Sequence, residues 1–112
     1  MKVGAVVSDL MLYSRIDSAA SAAGASVIRV DAPSQLPDGL DLVLVDWSDR
    51  QNDWAEALGL ASGRVILFGR HTDLEAHAAA RVAGLSPMWA RSKLIKELRV
   101  LVSAFDTARA EP

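Results

Sequence analysis

Short apolar runs recur along the chain and alternate with segments of helical periodicity. Four of them are rich in Val and Ile and too short for buried helices, which is typical of strands covered on both faces. These runs are Val3–Val7, Val27–Val30, Leu42–Val45 and Val65–Phe68. A weaker fifth run, Pro87–Ala90, begins with a proline that cannot donate to a strand ladder, so we expect it at a sheet edge.

Helical patterns fill most of the intervals between the runs. Apolar positions in Leu10–Ala23 fall on one face, and Gly24 supplies a stop. Ser48–Gln51 and Thr72–Glu75 have the spacing of capping boxes, which predicts helices beginning there. The second of these helices should end at Gly84.

The last predicted helix runs from Ser92 toward the C-terminus. Its apolar stripe comprises Leu94, Leu98, Leu101, Val102 and Phe105. The stripe is wide enough for us to expect some of it to stay uncovered, which suggests a homodimer formed through strand five and this helix. The pattern dissolves at the end, so we expect a domain over residues 1–108 and a frayed tail over 109–112.

The segment Asp31–Gly39 holds two prolines and a glycine, leaving room for at most one helical turn. The order of elements therefore predicts an α/β fold with a five-stranded parallel sheet and helices on both faces. We expect the flavodoxin-like, doubly wound strand order 2-1-3-4-5 with a shortened second helix.

Net charge, cysteine content and missing motifs exclude several classes of function. The 112 residues carry a formal net charge of −2, which offers no electrostatic footprint for nucleic acid or an anionic membrane. The absence of cysteine excludes disulfides, thiolate metal sites and thiol nucleophiles. A dinucleotide-binding glycine motif and a hydrolase serine turn are also missing, so we expect a cytoplasmic protein that is not an enzyme.

Polar side chains follow the predicted strands at the sheet edge where parallel folds bind ligands. They belong to Ser8, Asp9, Asp46, Ser48, Arg70, Arg91 and Ser92, and Gly69 lies among them at the end of the fourth run. Carboxylates and guanidinium groups thus converge in a chain whose strands are otherwise apolar.

At this edge the chain resembles the receiver domains of bacterial two-component response regulators. Asp46, which closes the run Leu42–Val45, matches the family's phosphoacceptor aspartate. The resemblance implies phosphorylation of Asp46 by a histidine kinase, with Mg²⁺ held by Asp9 and Asp46.

Several positions depart from that family. Ser8 replaces one acid of the pair that closes strand one, and Gly69 replaces a hydroxyl residue after strand four. Arg91 and Ser92 stand in place of a Lys-Pro pair, and an arginine fork is no equivalent of a lysine ammonium. Met88 occupies a position where the family often has an aromatic residue.

Each candidate residue has a second interpretation. Asp9 serves equally well as the N-cap of the first helix, and Ser48 and Ser92 suit caps of later helices. Arg70 or Arg91 either binds an anion or neutralises Asp46, and neutralisation is favoured because buried charges are seldom left unpaired.

Three functions follow from these interpretations. The favoured one is a stand-alone, pseudo-receiver signalling module that works by binding a protein, such as a histidine kinase or a downstream regulator. The second is a single-domain response regulator phosphorylated on Asp46 in a phosphorelay. The third is a small flavodoxin-like protein that binds an anionic ligand through Arg70 and Arg91.

Overall fold

The computed structural model describes residues 1–61, 63–85 and 87–110, with side chains described as far as residue 103. The strands are β1 (Lys2–Val6), β2 (Ser26–Val30), β3 (Leu42–Asp46), β4 (Arg64–Gly69) and β5 (Trp89–Ala90). The α-helices are α1 (Leu10–Ala22), α2 (Trp54–Gly59), α3 (Leu74–Val82) and α4 (Arg91–Ala110). No helix of the described chain is long and apolar enough to cross a membrane.

The five strands form one parallel sheet in the order β2-β1-β3-β4-β5, which confirms the predicted topology. The central strand β3 is buried at every position and pairs with β1 on one side and β4 on the other. Its final residue, Asp46, lies opposite Phe68 of β4. The carboxyl ends of the three middle strands therefore meet at one edge.

Two apolar clusters cover the two faces of the sheet. On one face, α1 and α4 contribute Ile16, Leu94 and Leu98 to a cluster that includes Leu44 and Phe68. The other face carries α2, α3 and a cluster built on Val43, Val45, Leu67, Trp54 and Ala80. Because both faces are covered, the strand residues had to be apolar almost throughout, which is the pattern read from the sequence.

The connection between β2 and β3 contains a single 3₁₀ turn, Pro33–Gln35, which confirms the prediction of a vestigial helix. Leu36 and Leu40 from this connection lie against Gly4 and cover β1. Ile28 on the edge strand β2 remains 45% exposed. The short connection between β2 and β3 therefore leaves only part of this edge of the sheet exposed to solvent.

Two predicted capping boxes are wrong. Ser48 lies inside a 3₁₀ turn, Trp47–Asp49, and α2 begins only at Trp54. At α3 the N-cap is Asp73 rather than Thr72, because the Asp73 carboxylate accepts the backbone N–H of Ala76. Ser92 is no cap either, since α4 begins at Arg91 directly after β5.

The apolar stripe of α4 faces inward. Leu94, Leu98 and Val102 are fully buried, and Leu101 packs partly against the same cluster. Val100 is exposed, at 61%. The side chain of Phe105 and residues 111–112 of the predicted tail lie outside the described part of the structure, and the homodimer stays a prediction.

Trp47 anchors the turn that follows Asp46. Its side chain is buried, and its indole Nε1–H donates to the carbonyl oxygen of Ala76 at 2.9 Å. Trp54 is buried in the same cluster, and within the described part of the chain its indole forms no such hydrogen bond. The indole of Trp47 thus fixes the turn beside the site to α3.

We expect Trp47→Phe to lower the free energy of unfolding by about 1–2 kcal/mol more than Trp54→Phe does, because only the first change removes a buried hydrogen bond. Urea denaturation of the two variants measures the difference. Equal losses would show that the indole hydrogen bond contributes nothing beyond side-chain volume.

Candidate functional site

Asp46 is the one charged side chain that is fully buried in the described part of the chain. It ends β3, so its position is set by the sheet rather than by a loop. Burying a carboxylate without a partner is costly, and the partner here comes from the far end of the sequence. Arg91, the first residue of α4, donates from Nη2 to Asp46 Oδ2 at 2.8 Å.

The pairing leaves two buried polar atoms without partners. Asp46 Oδ1 and Arg91 Nε have no partner that meets the geometry of a hydrogen bond. The contact is therefore a single hydrogen bond rather than the two-pronged arrangement that arginine forms with an open carboxylate. Arg91 keeps about a third of its side chain, 34%, exposed to solvent.

Burial raises the pKa of Asp46 above its ordinary value, and the nearby charge of Asp49 raises it further. The charge and hydrogen bond of Arg91 and the backbone N–H of Ser48 lower the pKa without cancelling the effect of burial. The site thus holds a carboxylate that the fold has desolvated and only partly compensated.

Asp9 caps α1, as one of its two interpretations predicted. Its Oδ1 accepts the backbone N–H groups of Met11 and Leu12 at 3.0 and 3.1 Å. Ser8, beside it, donates to Asp49 Oδ2 at 3.1 Å. Both residues are exposed, whereas Asp46 is not.

Two contacts weigh against the predicted Mg²⁺ site. Asp9 caps α1 through Oδ1, and Asp46 is paired with a guanidinium whose positive charge would repel the ion. Among the described residues, no three His, Cys, Asp or Glu side chains are grouped so as to hold a metal ion. The predicted Mg²⁺ ligands Asp9 and Asp46 therefore have other partners in this structure.

The two arginines predicted to bind an anion, Arg70 and Arg91, lie in different clefts. Arg70 is 66% exposed and lies 4.0 Å from the Asp73 carboxylate. It lines a cleft of about 630 Å³ together with Trp47, Arg50 and Glu75. Arg91 and Ser92 line a different cleft of about 360 Å³, between the first turns of α1 and α4.

Gly69 is in close contact with Ser48. A Cβ on Gly69 would overlap the Ser48 hydroxyl oxygen and lie 2.9 Å from Met88 Sδ. Ser48 Oγ accepts the backbone N–H of Arg70 at 3.1 Å. Met88 is buried on this side of the sheet, among the residues of α2 and α3.

Two residues of the site were not predicted from the sequence. Asp49 acts on the pKa of Asp46, and Asp73 faces Ser48 as well as Arg50 and Arg70. The sequence offered only a weak signal for each of them. Asp49 follows the end of β3 by three residues, and Asp73 has a side chain suited to capping a helix.

We expect Arg91→Met to lower the free energy of unfolding by about 2–3 kcal/mol at neutral pH, because it leaves the Asp46 charge buried and unpaired. Arg70→Met is the matched control, and as an exposed, loosely paired arginine it should cost less than about 1 kcal/mol. Urea denaturation of both variants gives the comparison. Equal costs would mean that solvent, and not Arg91, stabilises Asp46.

The loss in free energy of unfolding caused by Arg91→Met should become smaller as the pH falls. Burial makes the folded pKa of Asp46 higher than its ordinary value of 3.8, so the folded state binds this proton more tightly than the unfolded chain does. Ionisation of Asp46 consequently removes stability as the pH rises through this window, and loss of Arg91 raises the folded pKa further.

Denaturation of both proteins between about pH 7 and about pH 4 tests this, with the Asp46→Asn background as control. In that background the effect of Arg91→Met should be independent of pH. A loss in free energy of unfolding that becomes larger at lower pH would contradict the upward direction assigned to the pKa of Asp46.

A solved structure is similar to almost the entire chain. A crystal structure described as a response regulator receiver domain protein from Clostridium thermocellum matches it with a TM-score of 0.70 and 13% sequence identity. The match covers 96% of this chain and 95% of that chain. No family model matches the sequence, and no curated protein is significantly similar to it. The likeness establishes the architecture: this chain has the fold of a receiver domain.

Proposed function

We propose that the protein is a receiver-like signalling module whose phosphoacceptor position is degenerate and which acts by contacting another protein rather than by catalysis. The observation that carries the proposal is the 2.8 Å contact between Arg91 Nη2 and a fully buried Asp46 carboxylate. A partner built into the chain occupies the oxygen that a phosphoryl group would need.

Access to Asp46 is the first argument. Transfer of a phosphoryl group to a carboxylate requires in-line approach to an oxygen lone pair. Oδ2 of Asp46 is engaged by Arg91, and Oδ1 is buried. Arg91 would have to move before either oxygen could react.

Charge compensation is the second argument. Phosphoryl transfer depends on cations that neutralise the transferring group, which in receiver domains is the task of Mg²⁺ and a lysine. Here Asp9 is a helix cap and the cation at the site is already paired with Asp46. The Arg91 guanidinium already neutralises the charge of the Asp46 carboxylate, and phosphorylation would alter that neutral state.

A module of this kind transmits its state through its surface. Met11 is 83% exposed and lines the same cleft as Arg91, so a partner that contacts the start of α1 also lies beside the ion pair. Arg15 lines that cleft too. A partner surface that is partly apolar and partly acidic would complement these residues.

The test is intact-mass spectrometry after incubation with Mg²⁺ and a small acyl phosphate. We expect no phosphoryl adduct on the folded protein, because Arg91 occupies the carboxylate of Asp46. Arg91→Ala opens that carboxylate, and an adduct that appears in this variant but not in Arg91→Ala/Asp46→Asn would assign the block to Arg91.

An adduct on the unmodified sequence that is absent from Asp46→Asn would overturn the proposal. It would favour instead the single-domain response regulator phosphorylated on Asp46. Circular dichroism of each variant keeps loss of folding separate from loss of reactivity.

A further inference from the structure

Ser48 occupies space that a side chain at position 69 would otherwise fill. The turn after β3 brings the Ser48 hydroxyl over the last residue of β4, where a Cβ on Gly69 would overlap it. Ser48 Cβ is only 3.2 Å from the same position. A serine at 48 and a side chain at 69 therefore exclude each other in this conformation.

The Ser48 hydroxyl links two elements beyond its own turn. It accepts the backbone N–H of Arg70, just past β4, at 3.1 Å, and the carbonyl oxygen of Arg70 accepts the backbone N–H of Asp73 at 3.0 Å. Asp73 in turn caps α3 by accepting the Ala76 N–H at 3.0 Å. One hydroxyl thus connects β3, β4 and the first turn of α3.

Ser48 also lies close to the ion pair along the chain. It follows Asp46 by two residues, and its backbone N–H lowers the pKa of the Asp46 carboxyl. Arg91 is thus linked to Asp46, Asp46 through the turn to Ser48, and the Ser48 hydroxyl through Arg70 and Asp73 to Ala76. These contacts join the beginning of α4 to the beginning of α3.

We propose that Ser48 is a positioning residue that couples the Asp46–Arg91 pair to the first turn of α3. The surface at that turn carries Leu74, which is 76% exposed. Ser48 supplies from the β3 side a hydroxyl that Gly69 cannot supply from the β4 side. This inference rests on the proposed function, because it states how the condition of the ion pair reaches a surface that a partner can contact.

The experiment follows the amide resonance of Ala76 by two-dimensional ¹H–¹⁵N NMR. The perturbation is Arg91→Lys, which keeps the charge but cannot reproduce the guanidinium contact with Asp46. We expect this change to shift the Ala76 resonance in the otherwise unmodified protein. In the Ser48→Ala background the shift should fall by about half or more, as a double-mutant cycle detects for coupled residues.

Ser8→Ala is the matched control, because Ser8 is a hydroxyl at the same edge of the sheet that bonds to Asp49 and not to α3. The response of Ala76 to Arg91→Lys should survive in that background. No response in the unmodified protein, or an equal response in Ser48→Ala, would overturn the proposal.

A second variant separates the hydroxyl from the packing around it. Gly69→Ser alone should lower the midpoint of urea denaturation, because its side chain would overlap Ser48. Ser48→Gly/Gly69→Ser removes the overlap with Ser48, leaves only the close contact with the flexible end of Met88, and returns a hydroxyl from the β4 side. We expect this exchange to restore part of the Ala76 response that Ser48→Ala loses, and a folded exchange variant without the response contradicts the assigned role.

These measurements use protein without Mg²⁺ or phosphodonor, so they are independent of whether Asp46 accepts a phosphoryl group. A lost coupling with no mass adduct would reject the role of Ser48 and leave the proposed function standing. An adduct on Asp46 would reject the proposed function whatever the Ala76 resonance shows.

Discussion

The buried carboxylate of Asp46 is the constraint around which the functional edge of this protein is organised. Its position at the end of the central strand, opposite Phe68 of β4, takes it out of water. A desolvated carboxylate requires a cation, and Arg91 provides one from the first turn of α4. The pair therefore ties the end of β3 to a helix that starts 45 residues later in the chain.

The pair is better suited to specifying an arrangement than to adding stability. Desolvation of both charges offsets much of their attraction, and the unpaired Oδ1 of Asp46 and Nε of Arg91 increase that cost. The apolar clusters on the two sheet faces supply the main driving force for folding. The ion pair also holds the first residue of α4 against the end of β3.

The topology was predictable because it follows from where apolar residues must lie. Strands buried on both faces cannot tolerate polar side chains, so runs such as Leu42–Val45 predicted their own burial. Helix starts were less predictable: Ser48 and Thr72 fit the capping pattern, yet Asp73 takes the second cap and Ser48 bonds across to Arg70. A local pattern cannot register a competing partner that is distant in sequence.

The functional site was likewise predictable from the sequence only in part. That Asp46 and Arg91 would meet was foreseeable, since both follow parallel strands and the carboxyl ends of such strands share an edge. The exclusion between Ser48 and Gly69 was not, because it depends on the path of a turn that Trp47 anchors to Ala76.

A glycine in place of a hydroxyl residue looked like a loss when only position 69 was considered. In the folded chain the hydroxyl is present, supplied by Ser48. Polar contacts thus connect the strand ends to the start of α3 through Ser48 and Arg70, while the Asp46 carboxylate is paired with Arg91 of the same chain. Position 69 alone therefore does not show which polar contacts this edge can make, because the turn after β3 supplies one from the neighbouring strand.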